Sequence, residues 1–81
     1  VETELNKSLI VGRADICDVS IKDGKMSRQH FSLEEKNGAI FIRDLQTTNG
    51  TGVNGVKLSG ARKLNSGDVI SAGSMKIRVR W

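Results

Sequence analysis

The stretch SLEEKNGAIFIRDL, residues 32–45, decides the fold class that the sequence predicts. At its centre, Asn37 and Gly38 form the dipeptide that most strongly favours a type I′ turn, because both turn positions need a positive φ. On the N-terminal side, Phe31 and Leu33 alternate with polar residues, as expected for a strand with one buried face. The stretch therefore predicts two antiparallel strands joined by a tight turn.

Short strand-like runs recur on both sides of this hairpin, and glycine-containing turns separate most of them. No window of about a dozen residues shows the sustained apolar repeat of an amphipathic helix. Strands of this length, with a turn every 8 to 12 residues or so, predict an all-β fold, either a sandwich or a barrel. The predicted strands are residues 9–11, 19–21, 30–34, 39–43, 56–58, 68–71 and 75–81.

Length and composition limit the possible classes of protein. The chain has 81 residues, 37% of them hydrophobic and 27% charged, which predicts a single globular domain. It has no apolar run long enough to cross a bilayer, so no membrane association is expected. Its only cysteine, Cys17, excludes an internal disulfide and favours a reducing, cytoplasmic location. Because the sequence begins at Val1 without a methionine, we expect residues 1–81 to be one domain excised from a larger protein.

The net charge of +4 is unevenly distributed. From Lys57 onward, six basic side chains stand against one acid, Asp68. A basic face indicates an anionic partner, which could be nucleic acid, a membrane surface or a phosphorylated protein, although it can also be a solvated surface. The only tryptophan is at the terminus and there is no tyrosine, which argues against nucleic-acid binding. Alternation in the last run predicts that Lys76, Arg78 and Arg80 face solvent, opposite Met75, Ile77, Val79 and Trp81.

A second stretch, NGTGVNG at residues 49–55, matches the dinucleotide-binding pattern G-x-G-x-x-G. That motif requires a helix after its third glycine, and residues 56–68, which follow Gly55, contain two more glycines and no amphipathic segment. The match is therefore rejected. Asn54 and Gly55 are instead interpreted as a hairpin turn between residues 51–53 and 56–58.

Catalysis and metal binding have weak support in the sequence. One histidine and one cysteine are too few for the usual zinc ligand sets, so no metal and no cofactor are predicted. Ser27, His30 and Asp44 could be assembled into a triad, but no nucleophile elbow or oxyanion-hole signature accompanies them. The chain is therefore predicted not to be an enzyme.

Polar residues of a different kind collect in three predicted loops. Because a β-sandwich gathers its loops at two ends, these loops can converge at one end. Guanidinium groups, hydroxyls and an amide brought together in this way form a receptor for an oxyanion. The side chains concerned are Arg13, Ser27, Arg28, Thr47, Thr48 and Asn49.

Five separated motifs occur in an order that resembles a forkhead-associated (FHA) domain. They are Gly12-Arg13, then Ser27-Arg28-x-His30, then Asp44-Leu45-x-Thr47-Thr48-Asn49-Gly50-Thr51, then Val53-Asn54-Gly55, then Leu64-x-x-Gly67-Asp68-x-Ile70-x-x-Gly73. The resemblance runs from about Leu9 to the end of the chain. It implies an antiparallel β-sandwich of about ten to eleven short strands whose apical loops bind phosphothreonine in a partner protein.

The resemblance also implies a role for each site residue. Arg13 would clamp the phosphate, and Ser27 would hydrogen-bond another phosphate oxygen. Thr48 would add a donor, Arg28 or the glutamine after it would contact phosphate or peptide, and Asn49 would hold the peptide backbone. The partner would be a phosphothreonine-containing protein, either a substrate of a Ser/Thr kinase or the kinase itself. In the family, Gly12, His30 and Gly50 support the site, and His30 braces the loop that carries Ser27.

Two features depart from the family pattern. Position 52 is glycine, where the family usually has an aromatic or other large side chain. In addition, only eight residues precede Leu9, so a first strand is either missing or reduced to residues 1–5. An alternative function remains open, namely a phosphate-independent scaffold or assembly module on the same fold.

Overall fold

The computed structural model describes residues 8–81, and within this range every regular element is a β-strand. The all-β prediction is therefore confirmed. Within the same range, no helix has the length and apolar character needed to cross a bilayer. The strands are β1 (Leu9–Gly12), β2 (Val19–Ser20), β3 (Phe31–Lys36), β4 (Ala39–Asp44), β5 (Thr51–Val53), β6 (Val56–Lys57), β7 (Arg62–Leu64), β8 (Val69–Ala72) and β9 (Met75–Arg78).

These strands form a sandwich of two sheets. The five-stranded sheet has the order β2-β1-β3-β4-β7, and the four-stranded sheet has the order β6-β5-β8-β9. All neighbouring strands are antiparallel except β1 and β2, which run parallel. The predicted antiparallel sandwich is confirmed, apart from this short parallel pair, and residues 8–81 form nine strands where about ten to eleven were expected.

The core lies between the two sheets and follows the predicted alternation. Asn37 and Gly38 have φ angles of 52° and 80° and join β3 to β4 in the predicted hairpin, with Lys36 opposite Ala39. The buried core cluster consists of Val11, Met26, Phe31, Ile42, Val53, Leu64, Ile70 and Ala72. Seven of these eight side chains lie on strands and no strand contributes more than two, so the core is thin, as expected for a domain of this size.

Some strand boundaries and one strand differ from the sequence prediction. The last strand ends at Arg78 rather than at Trp81, and Trp81 is 58% exposed rather than on a buried face. Met75 is also exposed, so only Ile77 and Val79 of the predicted apolar face pack against the core. The basic side chains at positions 76, 78 and 80 are exposed, as predicted. The predicted strand 56–58 ends at residue 57.

Strand β7 was missed because two of its three residues, Arg62 and Lys63, are exposed and charged. This segment becomes a strand of the five-stranded sheet because it pairs with β4, and Leu64 is its only buried side chain. The proposed remnant of a first strand at residues 1–5 lies outside the described residues.

Candidate functional site

The loops predicted to converge do meet at one end of the sandwich. The loop after β1 is joined to the loop before β3 by backbone hydrogen bonds from Arg13 N to Ser27 O and from Ala14 N to Arg28 O, both 3.0 Å. The loop after β4 joins the same group, because Asn49 Nδ2 donates to Lys25 O at 3.2 Å. The three loops, although far apart in sequence, therefore form one continuous surface at this end of the sandwich.

Arg13 is exposed, and one nitrogen of its guanidinium is held by a hydrogen bond. Its Nε donates to Met26 O at 3.2 Å, which orients the guanidinium and leaves both terminal amino groups for a ligand. A Cβ on the preceding residue, Gly12, would lie 2.3 Å from Arg28 O, so only glycine permits this approach of the two loops. An open depression of about 660 Å³ adjoins the guanidinium. Its lining residues are Arg13, Ala14, Asp15, Ile16, Lys22, Arg28 and Gln29.

His30 is completely buried and connects the loop of Ser27 to the loop after β4. Its Nδ1 accepts a hydrogen bond from the Ser27 amide at 3.0 Å, and its Nε2 lies 2.8 Å from Gly50 O. Since Nδ1 acts as an acceptor, the ring proton lies on Nε2 and is donated to the Gly50 carbonyl. Both ring nitrogens are therefore engaged with backbone groups, and His30 does not contact the Ser27 hydroxyl as a general base would.

The loop after β4 is organised around Asp44. This carboxylate accepts hydrogen bonds from Thr47 N at 3.0 Å, Thr47 Oγ1 at 2.7 Å and Thr51 Oγ1 at 2.6 Å. Thr47 Oγ1 in turn accepts from Gly50 N at 2.9 Å, and Gly50 has a φ of 79° that favours glycine. The inclusion of Thr47 among the ligand-binding hydroxyls is therefore wrong, since its hydroxyl is used inside the loop. Thr48 and Asn49 remain exposed.

The same hydrogen bonds determine how Asp44 titrates. Partial burial raises the pKa of Asp44, but the bonds from the Thr51 hydroxyl and from Thr47 outweigh it, so the pKa lies below its usual value. A carboxylate with a lowered pKa stabilises the folded state above its unfolded pKa of about 3.9, and this contribution is lost as pH falls through the folded pKa.

We therefore expect Asp44→Asn to be less stable than the wild type at neutral pH and to show a weaker loss of stability on acidification. Thermal melting between about pH 7 and pH 3 would measure this difference. Glu35→Gln is the matched control, since Glu35 on β3 makes none of these loop bonds, and its curve should parallel that of the wild type. Identical pH curves for Asp44→Asn and the wild type would contradict this assignment.

A contact that the sequence did not predict braces the Ser27 loop from the opposite sheet. Asp23 Oδ2 accepts hydrogen bonds from Ser74 N and Ser74 Oγ, both at 2.8 Å. These bonds hold the β8–β9 turn against the loop before β3, and a Cβ at Gly73 would lie 2.7 Å from Asp23 Oδ2 and 2.8 Å from Met26 Cγ. The only sequence signal was the glycine itself, because the partners are 51 residues apart.

The assembled site is cationic and has the donors of an oxyanion receptor. Arg13 and Arg28 are exposed on the two bonded loops that also carry Ser27, whose hydroxyl has no hydrogen-bond partner among residues 8–81. Lys22 donates to Arg13 O at 3.1 Å and pairs with Asp15, the acid that lines the same depression as Arg13. Within residues 8–81, no group of three His, Cys, Asp or Glu side chains could hold a metal ion.

Comparison with known proteins identifies the family. A model of the FHA domain family matches residues 9–73. The chain belongs to the FHA family. FHA domains are binding modules, and the resemblance drawn from the sequence motifs is confirmed.

Among individual relatives, this FHA domain is 37% identical over 67 residues to the ABC transporter ATP-binding/permease protein Rv1747 of Mycobacterium tuberculosis. That match covers 83% of the chain but only 8% of the transporter, so the chain spans a small part of this relative. Separate matches of this chain cover 2% of the proliferation marker protein Ki-67 of Mus musculus and 48% of the FHA domain-containing protein FhaB of Mycolicibacterium smegmatis.

Solved FHA structures also superpose closely. One, studied for phosphothreonine-dependent FHA domain interactions, is 34% identical with a TM-score of 0.86, covering 91% of this chain and 76% of that one. EmbR of Mycobacterium tuberculosis, in complex with a low affinity phosphopeptide, is 25% identical with a TM-score of 0.86, covering 90% of this chain and 19% of EmbR.

Proposed function

We propose that this FHA domain binds phosphothreonine in a partner protein through its apical loops. The observation that carries the proposal is Arg13, whose guanidinium is oriented by Met26 O and lies on a loop bonded to the loop of Ser27. A phosphate with a charge of about −1.5 to −2 is well matched by a guanidinium fork and neighbouring donors. The solved relative studied for phosphothreonine-dependent interactions supports the same ligand.

Each residue of the candidate site has a role in this proposal. Arg13 clamps two phosphate oxygens, Ser27 donates its hydroxyl to a third, and Arg28 adds a second positive charge. Thr48 contributes a further donor and Asn49 holds the peptide backbone. Three or four charge-assisted contacts, reduced by the cost of ordering the peptide, correspond to an affinity of about micromolar.

Three further residues maintain this arrangement. Gly12 lets the two phosphate-binding loops approach, His30 joins the Ser27 amide to the Gly50 carbonyl, and Gly50 provides the positive φ of the third loop. The domain itself is proposed to be non-catalytic, to need no cofactor, and to work in the cytoplasm on a Ser/Thr kinase substrate or on the kinase.

Titration with matched peptides tests the function. We expect peptides containing phosphothreonine to bind with a dissociation constant of about micromolar, and their unphosphorylated forms to bind at least tenfold more weakly. A phosphothreonine-oriented library read by calorimetry or fluorescence anisotropy would also show which flanking residues are preferred. Equal binding of phosphorylated and plain peptides would overturn the proposal in favour of a phosphate-independent assembly module.

A further inference from the structure

A row of four residues crosses the outer face of the four-stranded sheet beside the proposed site. The strand register places Lys57 opposite Gly52, Gly52 opposite Ser71, and Ser71 opposite Lys76. Residues paired in this way share one face of a sheet, and the neighbours of Gly52 and Ser71 along their strands are all buried on the opposite face. The row is therefore a strip of solvent-facing surface with a lysine at each end and small residues between.

The small residues make this strip a trough that begins at the proposed peptide-binding loop. A depression of about 270 Å³ runs from Asn49 and Gly50 over Gly52 to Ser71. The methylene chain of Lys57 leans along its strand toward Gly50, so that its Cε lies 2.8 Å from where a Cβ on Gly50 would be. The trough is thus continuous with the surface that carries Asn49, and its first cation lies at the junction.

The charges of the trough have one sign. Among residues 8–81, no carboxylate forms an ion pair with Lys57 or Lys76, and both side chains are exposed. Asp23 accepts from Ser74, and Asp68 accepts from Asn54 and from the Asn65 amide, so both carboxylates are directed at these donors while they keep their negative charge. A ligand in the trough therefore meets the unpaired charge of Lys57 at one end and, next to Ser71 just beyond the depression, that of Lys76.

We propose that this trough binds an acidic segment of the partner chain, next to its phosphothreonine, with one carboxylate on Lys57 and another on Lys76. The proposal rests on the proposed phosphothreonine function and adds a second recognition element to it. Three strand spacings separate the two lysines, about 14 Å in all, which an extended segment of about four residues spans. Because the trough meets the peptide loop at Asn49, the same partner chain can occupy both.

A nucleic acid fits this surface less well than an acidic peptide. The residues that line the depression include no aromatic side chain on which a base could stack. The continuity with Asn49 also favours a ligand that already lies in the apical loops. The proposal therefore commits to an acidic peptide segment.

The peptides that test this proposal differ only in the residues beside the phosphothreonine. Two peptides have four glutamates on the amino or on the carboxyl side of the phosphothreonine, and two controls have glutamines at the same positions. We expect one glutamate peptide to bind about three- to tenfold more tightly than its glutamine control at low ionic strength, with the difference shrinking as salt is added.

Two variants locate the effect. The double variant Lys57→Ala/Lys76→Ala should bind the glutamine peptides normally and lose the glutamate preference, whereas the control Lys63→Ala, on β7 of the other sheet, should keep it. Gly52→Phe should fill the trough and also remove the preference. That substitution is sterically permitted, since Gly52 does not have a positive φ and the nearest atom to its Cβ, Val56 O, is 3.4 Å away.

The outcomes separate the two proposals. Normal binding of all phosphopeptides with no glutamate preference overturns the trough and leaves the phosphothreonine function intact, and so does a preference that survives Gly52→Phe. Failure of every phosphopeptide to bind overturns both. Binding of a single-stranded oligonucleotide that depends on Lys57 and Lys76, with no glutamate preference, would assign the surface to nucleic acid instead.

Discussion

Replacing Arg13 with alanine is expected to remove most of the affinity for a phosphothreonine peptide, about 2–4 kcal/mol or some 30-fold and more. The guanidinium supplies two parallel donors and a full positive charge to the phosphate. Because Met26 O already holds its Nε, the fork is oriented before the ligand arrives and loses little rotamer entropy on binding. Calorimetry with one phosphopeptide measures the loss.

Two further variants show whether the geometry or the charge of Arg13 matters. Arg13→Lys keeps the charge but lacks the planar fork, so an intermediate affinity is expected. Arg43→Ala removes an equally exposed arginine from β4 and should leave binding unchanged. The hydrogen bond to Met26 O contributes only about 1 kcal/mol to stability, so melting should change little in Arg13→Ala. Affinity equal to the wild type in Arg13→Ala would remove the phosphate clamp from the proposal.

His30→Ala is expected to have the largest effect on stability, about 3–5 kcal/mol. The substitution leaves the Ser27 amide and the Gly50 carbonyl without their partners and opens a cavity at a completely buried position. A domain of this size has a free energy of unfolding of about 5–15 kcal/mol, so the loss is a large part of the total. Urea unfolding followed by far-ultraviolet circular dichroism gives the measurement.

His30→Asn separates the two hydrogen bonds of the ring. The asparagine oxygen can accept from the Ser27 amide as Nδ1 does, but the side chain is too short to reach the Gly50 carbonyl. We expect a stability between those of the wild type and His30→Ala, with phosphopeptide affinity recovering in the same order because the Ser27 loop is held again. Unchanged stability in His30→Ala would show that the bridge does not hold the two loops together.

The fold was largely predictable because most of its strands carry local signals. Asn37 and Gly38 encode the β3–β4 hairpin through backbone preferences that need no tertiary contact. Strand β7 was not predictable, since its exposed Arg62 and Lys63 give no alternating pattern and pairing with β4 alone makes it a strand. The end of the last strand was missed for a related reason, because apolar alternation continued to Trp81 after sheet pairing had ceased.

For the candidate site, the sequence predicted only which residue types occur and in which order along the chain. The motifs identified Arg13, Ser27 and Asn49, but they did not distinguish a ligand-binding hydroxyl from a structural one. Thr47 and Thr48 are adjacent and chemically identical, and only the hydrogen bonds to Asp44 show that Thr47 is used within the loop.

The sequence by itself determined that this protein is an all-β domain of the FHA family, because turn dipeptides, alternation and motif order are local properties of the chain. Tertiary structure decided which of its polar groups are bonded within the loops and which remain exposed at the candidate site. The Asp23–Ser74 contact, the bridge through His30 and the trough over Gly52 each join residues from different strands or loops. Such contacts depend on the register of the strands and on the packing of the loops, and the spacing of residues along the chain determines neither of these.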